Sequence, residues 1–419
     1  MALLYGILSI AISILTILHF YSRLVARRPR FHSKDGKFRD FVEQHVPILQ
    51  QIYEPCWWCP WGIPQTLFRV LLRRLPKLPF EREIVELNDG GCLAIDWLHP
   101  KNGNQDTPIL LMLPGMTSST HDCAYILYSA RLANRKGYRV IVVNPRGLGG
   151  VPLKTARTYN PSKIDDLETV ITLVTKKYPS ARKMGAGFSL GGMSLFNYLS
   201  AKCKNTVGLH AAMIISSPWD PIEASFVNER FWPRILFNKF LAGVLRDYVK
   251  PYKHLFEDKF DWDRAMNLKS VREYDHFVTA PLFGHNDWAE YYHQASLYHH
   301  HKIHGIPVPT LCLNARDDCF SPLSSIPFKE IQNTKNLVSV TTKHGGHLAF
   351  MRSGNPSALG LDEMALSQFS DALLNGDMDI LMVDTVDTED MEDIMADRGI
   401  IITIITMDGG DASRRVMYK

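Results

Sequence analysis

Gly187-Phe188-Ser189-Leu190-Gly191-Gly192 is the stretch on which the reading of the chain turns. Upstream, Ala181 to Ala186 is readable as a short strand. Downstream, Met193 to Cys203 has helical spacing, with Leu195, Phe196 and Leu199 apolar. In the order strand, G-x-S-x-G, helix, such a serine stands on a sharp turn with its oxygen clear of the backbone. The flanking positions call for glycine, because a Cβ would strike the neighbouring strand or helix. The serine then lies at a helix N-terminus, where the dipole favours developing negative charge. The motif alone also fits an ordinary glycine-rich turn, so its meaning depends on the rest of the chain.

A serine hydroxyl needs a base to take its proton and a third group to hold that base. In this kind of fold the chain order is serine, acid, histidine. Asp318 lies in Asn314 to Pro322, after the apolar run Val308 to Leu313, and His347 closes His344-Gly345-Gly346-His347, after Leu337 to Thr341. Both positions are loops at strand ends, where an α/β sheet gathers its site. Asp317 competes for the acid role, and Asp318, four residues before Pro322, is preferred. His344 competes for the base role. His347 is preferred because the two preceding glycines let its loop approach the serine. Two backbone N–H groups are needed for the oxyanion. One is expected from Leu190, and the other from Met116 in Pro114-Gly115-Met116-Thr117, with Thr117 as the alternative.

The remaining pattern supplies a sheet for these loops. Glu83 to Asn88 and Cys92 to Trp97 read as two strands around Asp89-Gly90-Gly91. Pro108 to Leu113, Tyr138 to Val143 and Ala211 to Ile215 are short apolar runs of the buried parallel kind. Helical periodicity covers Tyr125 to Lys136, Pro161 to Tyr178 and Leu361 to Leu374, the second with Leu167, Val170, Ile171 and Val174 on one face. Alternating strands and helices predict an α/β fold, with a mostly parallel central sheet and helices on both faces. Pro218 to Ile303 is helical, aromatic and basic, and reads as a helical cap insertion over the sheet's C-terminal edge.

The chain has 419 residues, 46% hydrophobic and 21% charged, enough for a large core. Its net charge of +4 is uneven: Asp371 to Lys419 carries 12 acidic and 4 basic residues, a net of −8, which leaves +12 on the rest. A basic body suits an anionic membrane surface. The sequence lacks the Arg/Lys stripe with interleaved aromatics that nucleic acid calls for. Seven scattered cysteines do not form a disulfide framework. Cys56 and Cys59 form a C-x-x-C without a second ligand pair, read as structural, and His299 to His301 as a solvated helix end. No metal or nucleotide cofactor is implied.

Ala2 to Phe20 contains no charged residue and is close to the roughly 20 residues that span a bilayer. No Lys or Arg precedes it and no small-x-small cleavage site follows, so an uncleaved anchor is preferred to a signal peptide. Arg23, Arg27, Arg28 and Arg30 flank it, which by the positive-inside rule favours a cytosolic body. The expected division is an anchor over 1–22, an aromatic-rich segment over 23–82, the catalytic domain over 83–375 with the cap within about 218–303, and a poorly ordered acidic tail over 376–419.

Together these stretches resemble AB hydrolase family four, the membrane-anchored α/β-hydrolase-domain proteins that include eukaryotic phospholipases and bacterial YheT-type esterases. The resemblance rests on Gly62 to Leu67, Leu113 to Thr117, Asn144-Pro145-Arg146-Gly147, Gly187 to Gly192, Tyr274 to Gly284, Tyr291-Tyr292, Ala295-Ser296, Asn314 to Pro322 and Gly346-His347. It covers roughly residues 40–375. It implies an α/β-hydrolase fold, a triad of Ser189, Asp318 and His347, and a lipid or phospholipid substrate met at a membrane, the endoplasmic reticulum or another endomembrane. It also implies a body across the membrane from the cytosol, opposite to the arginine argument, so the topology stays open. Cys319 departs from the proline that often follows the aspartate, and Pro114-Gly115 from His-Gly. Two other activities fit the sequence: an acyltransferase using the same triad, and a catalytically silent membrane scaffold.

Overall fold

A computed structural model of the chain describes residues 2–352, 355 and 358–374, so the acidic tail lies outside the described residues. Among the described residues nine strands form one sheet, in the order β1-β9-β8-β7-β6-β4-β5-β3-β2. They are β1 (Arg30–His32), β2 (Glu81–Glu86), β3 (Cys92–Leu98), β4 (Ile109–Leu113), β5 (Arg139–Asn144), β6 (Lys183–Phe188), β7 (Ala211–Ile215), β8 (Thr310–Ala315) and β9 (Leu337–Thr342). β4 to β9 run parallel, while β2 and β3 form an antiparallel hairpin at one edge. β1 closes the other edge antiparallel to β9, with Arg30 opposite Thr341. The α/β class expected from the alternating pattern is the one observed.

Alternation along the strands divides the core. In β4, Ile109, Leu111 and Leu113 face one layer, and Leu110 and Met112 the other. Helices α5 (Asp165–Lys177) and α6 (Leu190–Ser200) cover the first face. The Leu167, Val170, Ile171 and Val174 stripe of α5 is buried there, each side chain worth roughly 1.5–3 kcal/mol. α5 begins at Asp165, three residues after Ser162, whose N–H and hydroxyl both donate to Asn160 Oδ1 in a turn before the helix. Helices α2 (Lys37–His45), α4 (Ala124–Arg135) and the C-terminal helix Leu361–Leu374 cover the second face.

The sheet and core begin well before residue 83, the expected start of the domain. β1 is a sheet strand, and Phe38, Phe41 and Val42 of α2 lie in the same cluster as β4 and β5. Helix α3 (Gly62–Leu72) is tied to the C-terminal helix, where Glu363 accepts from Arg73 and pairs with Arg69 at 3.2 Å. β1 is only three residues long, and α3 buries Gln65, Thr66 and Arg69 rather than an apolar stripe, so neither carried an apolar periodicity of its own. Cys56 and Cys59 pack with Ala349 and Met351. Burial pushes the Cys59 thiol up to about 12, which suits packing.

Helix α1 (Ala2–Leu24) precedes β1. Its described apolar side chains are exposed, Leu4 at 67% and Ile17 at 66%. Side chains of residues 2, 3, 18, 19, 22 and 23 lie outside the description, and among the described residues no helix is long and apolar enough to cross a membrane.

Between β7 and β8, short helices from Pro221 to Gly305 build the cap. Leu245, Tyr248, Phe256, Leu268 and Tyr274 form its own small core. The cap is fastened to the sheet through Arg146. This residue is 2% exposed, donates twice to Asp166 at 2.6 and 2.7 Å, and reaches Asp89 at 2.7 Å. Its carbonyl accepts from the Tyr248 hydroxyl of the cap at 2.6 Å.

Candidate active site

Ser189 occupies the tight turn between β6 and α6, with φ 52° and ψ −120°. A non-glycine residue holds that backbone only when its surroundings enforce it. The enforcement is close packing. A Cβ on Gly187 would lie 2.5 Å from Gly192 Cα, and one on Gly191 would lie 2.3 Å from the Leu113 carbonyl oxygen. Ser189 N–H donates to the Ile215 carbonyl at 2.9 Å, and its own carbonyl accepts from the Ser217 hydroxyl at 2.8 Å. The hydroxyl is left to face the loops from β8 and β9.

His347 comes from the loop after β9 and Asp318 from the loop after β8. His347 Nε2 is 2.8 Å from Ser189 Oγ. Its Nδ1 is 2.9 Å and 3.1 Å from the two carboxylate oxygens of Asp318. With the carboxylate accepting from Nδ1–H, Nε2 keeps its lone pair and accepts the serine proton. Asp318 is buried, and its Oδ1 also accepts the N–H groups of Phe320 at 2.8 Å and Ser321 at 3.2 Å. These bonds fix the orientation of the carboxylate.

The two competing residues pair with each other instead. Asp317 Oδ2 lies 3.0 Å from His344 Nδ1, and Asp317 Oδ1 accepts the Gly346 N–H at 2.9 Å. Gly346 has φ +60°, and a Cβ there would lie 2.3 Å from the Gly62 carbonyl oxygen. The second glycine of the motif is therefore required for close approach to α3.

The oxyanion donors follow from an account of backbone N–H groups. Gly115 N–H donates to the Tyr125 hydroxyl at 3.0 Å, and Thr117 N–H to the Tyr159 hydroxyl at 3.1 Å. Met116 and Leu190 N–H groups have no protein acceptor among the described residues. Both lie beside Ser189 on the lining of one cavity. Between the two candidates from the first loop, the engaged Thr117 leaves Met116.

Sequence reasoning missed the brace behind the histidine. Thr66 Oγ1 accepts the His347 N–H at 2.8 Å and donates to the Gly62 carbonyl at 2.8 Å. The only signal was Gly62 to Leu67 within the resemblance. It also missed Asp275, whose role the motif Tyr274 to Gly284 left unassigned. Asp275 is buried on the cavity wall and accepts from Thr279 at 2.7 Å and Tyr292 at 2.7 Å. Burial pushes its carboxyl up to about 6 against those two bonds.

The cavity measures about 520 Å³ and runs from Ser189 and His347 under the cap. Its wall is mainly apolar, with Leu67, Met193, Leu236, Phe237, Leu241 and Leu245 among its residues. Such a lining, with a few convergent polar groups at one end, takes a hydrocarbon chain and orients its head. Among the described residues no group of His, Cys, Asp and Glu is arranged to hold a metal.

Residues 110–358 match the model of the Alpha/beta hydrolase family. The chain is 43% identical over 370 residues to Protein abhd-3.2 of Caenorhabditis elegans, covering 88% of this chain and 98% of that one. It is 35% identical over 360 residues to Phospholipase ABHD3 of Mus musculus, covering 85% and 87%. It is 26% identical over 289 residues to Putative esterase YheT of Escherichia coli, covering 68% and 83%.

Proposed function

Since the chain belongs to the alpha/beta hydrolase family and is an ester-cleaving enzyme of the phospholipase and esterase type, we propose that it is a membrane-anchored serine hydrolase that cleaves the acyl esters of phospholipids. The observation that carries this reading is the unbroken line Asp318–His347–Ser189, with contacts of 2.9 and 2.8 Å. His347 Nε2 takes the Ser189 proton as Oγ attacks the ester carbonyl. The oxyanion that forms meets the Met116 and Leu190 N–H groups and the N-terminus of α6. The carbonyl re-forms as the alcohol leaves with the proton from His347. The product is an acyl-enzyme on Ser189 and a free alcohol, here a lysophospholipid. Water then attacks the acyl group, gives its proton to His347, and releases the fatty acid and the serine.

The phospholipid substrate is supported by the likeness to a protein named a phospholipase and by the apolar cavity beside the serine. The anchor is supported by the sequence alone, through the uncharged run from Ala2 to Phe20, close to the roughly 20 residues that span a bilayer. The topology of the chain also favours lipid access. β1 runs antiparallel to β9, so α1 enters from the sheet edge at which the Ser189, Asp318 and His347 loops gather. An endomembrane location accords with this reading.

Labelling by a fluorophosphonate probe tests the proposal. The full chain in detergent should be labelled, and Ser189→Ala should not. Absence of labelling in a folded full chain would favour a silent scaffold. A labelled enzyme that yields acylated alcohols in preference to free fatty acid would favour acyl transfer.

A further inference from the structure

Five cationic side chains line one recess beside the base of α1: Arg27, Arg28, Arg30, Arg316 and Lys343, with Thr341 at its floor. It measures about 240 Å³, and no carboxylate lines it. Arg30 lies opposite Thr341 in the edge pairing of the sheet, and Arg316 N–H donates to the Thr342 carbonyl, so the recess is built on the sheet edge. Charges held this close normally recruit acidic partners. Here the contacts are to backbone: Arg27 donates to the Ala26 carbonyl at 3.3 Å and Lys343 to that of Leu24. Arg28, Arg30 and Arg316 have no carboxylate within salt-bridge distance among the described residues. Asp317, the acidic neighbour of Arg316, is turned away to His344 and Gly346. The charges of Arg30 and Arg316 help burial to hold the nearby His32 imidazole below its usual range.

Arg316 also borders a second recess, of about 590 Å³, whose lining includes the apolar Ile63, Phe231, Trp232 and Leu323 together with Arg230, Asp317 and Asp318. Phe231 and Trp232 are 66% and 61% exposed. Beyond them, Phe240, Val70 and Leu71 are 68%, 76% and 65% exposed and line the cavity that leads to Ser189. The cationic recess and the aromatic-bearing recess thus share Arg316, and the cavity that leads to Ser189 carries further exposed apolar side chains.

We infer that this recess is a binding site for the phosphate headgroup of an anionic membrane lipid. It seats the body on an anionic bilayer with the apolar mouth against the acyl layer. The uncompensated cations fit a phosphate, guanidinium groups offering paired donors to its oxygens. A lipid rather than a free phosphate compound is the occupant because the recess opens beside exposed aromatic and apolar side chains, which a soluble ligand leaves in water. The inference rests on the membrane reading above and adds a headgroup preference that the anchor does not supply.

The test uses the full chain in neutral detergent micelles, titrated with phosphatidylglycerol, with phosphatidylcholine and with inorganic phosphate. Hydrolysis of a short soluble ester is followed in parallel. Phosphatidylglycerol should bind at least tenfold more tightly than phosphatidylcholine, and less tightly as salt rises. The triple variant Arg28→Glu, Arg30→Glu, Lys343→Glu should lose that preference by on the order of a hundredfold, given the typical contribution of each surface cation. It should keep its soluble-ester activity. Reversal of distant exposed charges, Lys101→Glu with Lys176→Glu, should change the preference by less than threefold. Equal binding of the two lipids, or a preference that survives the triple variant, would overturn the inference. Inorganic phosphate binding as tightly as the lipid would overturn the choice of a lipid occupant. Loss of ester activity in the unmodified chain, with lipid preference intact, would instead count against the catalytic reading.

Discussion

Asp317 Oδ2 lies 3.0 Å from His344 Nδ1, and one residue on, Asp318 repeats the pairing with His347 at 2.9 Å. Two aspartate–histidine pairs therefore stand side by side on the same two loops. Only the second reaches Ser189. The first also holds the Gly346 N–H, so it acts as a staple between the loops.

Asp318→Asn should lower kcat on a short soluble ester by about 10⁴, because the amide favours the wrong histidine tautomer. Asp317→Asn keeps one acceptor for the loop and should lose no more than about tenfold, by comparison with the 10²–10⁴ that acid–base groups contribute. Steady-state kinetics on the two variants check this. The opposite order of damage would exchange the roles of the two pairs.

Thr66 touches His347 only through the backbone, and its effect should be one of positioning. Thr66→Val leaves the part-buried His347 N–H unpaired, a cost to stability of up to about 1–3 kcal/mol, and frees the loop that holds the imidazole. Its kcat should fall roughly ten- to a hundredfold with KM little changed, since a displaced catalytic group can cost about 10²-fold. Thr66→Ser restores the acceptor and should recover most of the rate. A serine variant as slow as the valine variant would show that the methyl group, not the hydroxyl, sets the loop.

How much of this site was legible varies with the kind of signal. Ser189, Asp318 and His347 each stand in a motif whose residues are fixed by local geometry, such as Gly191 against the Leu113 carbonyl and Gly346 against the Gly62 carbonyl. The apolar stripe of α5 and the runs of β4 and β5 likewise carried their own periodicity. β1 did not. Three residues whose pairing partners lie 307 to 311 positions away, as Arg30 from Thr341 and His32 from Ser339, cannot announce themselves. Thr66 and Asp275 were invisible for the related reason that their roles depend on contacts across the fold. Loop position pointed to Met116 ahead of Thr117 as the first oxyanion donor, and the Tyr159 hydroxyl that occupies the Thr117 N–H is a physical reason for that order which the sequence could not show.

Asp275 makes the stability depend on pH. Burial raises its carboxyl from 3.8 to about 6. The folded state thus holds a proton that the unfolded state has already lost, and stability falls as pH rises between roughly 4 and 6. Asp275→Asn cannot ionise. Its melting temperature should therefore lose part of the decline seen in the wild type over that range, with the two curves parallel above about pH 7. Curves of equal slope from pH 4 to 6 would show that the folded carboxyl titrates normally.

The proposed anchor, α1, and the rest of the chain should be separable. Deleting residues 1–20 spares the Tyr21 hydroxyl bond to the Pro55 carbonyl and all of β1. Activity on a short soluble ester should survive within about threefold. Activity on bilayer phospholipid should fall much further, because the local concentration given by tethering is lost. Equal losses on both substrates would make α1 part of the folded domain.

The most direct test of the account is to trap the covalent intermediate. The full chain is mixed with a p-nitrophenyl acyl ester, quenched in acid within the first turnover, digested, and mapped by mass spectrometry. The account requires one acyl group, on the peptide holding Gly187 to Gly192 and localised to Ser189. The adduct should be absent in Ser189→Ala and nearly absent in His347→Ala. An adduct on any other residue, or ester turnover without an adduct that persists in Ser189→Ala, would contradict it.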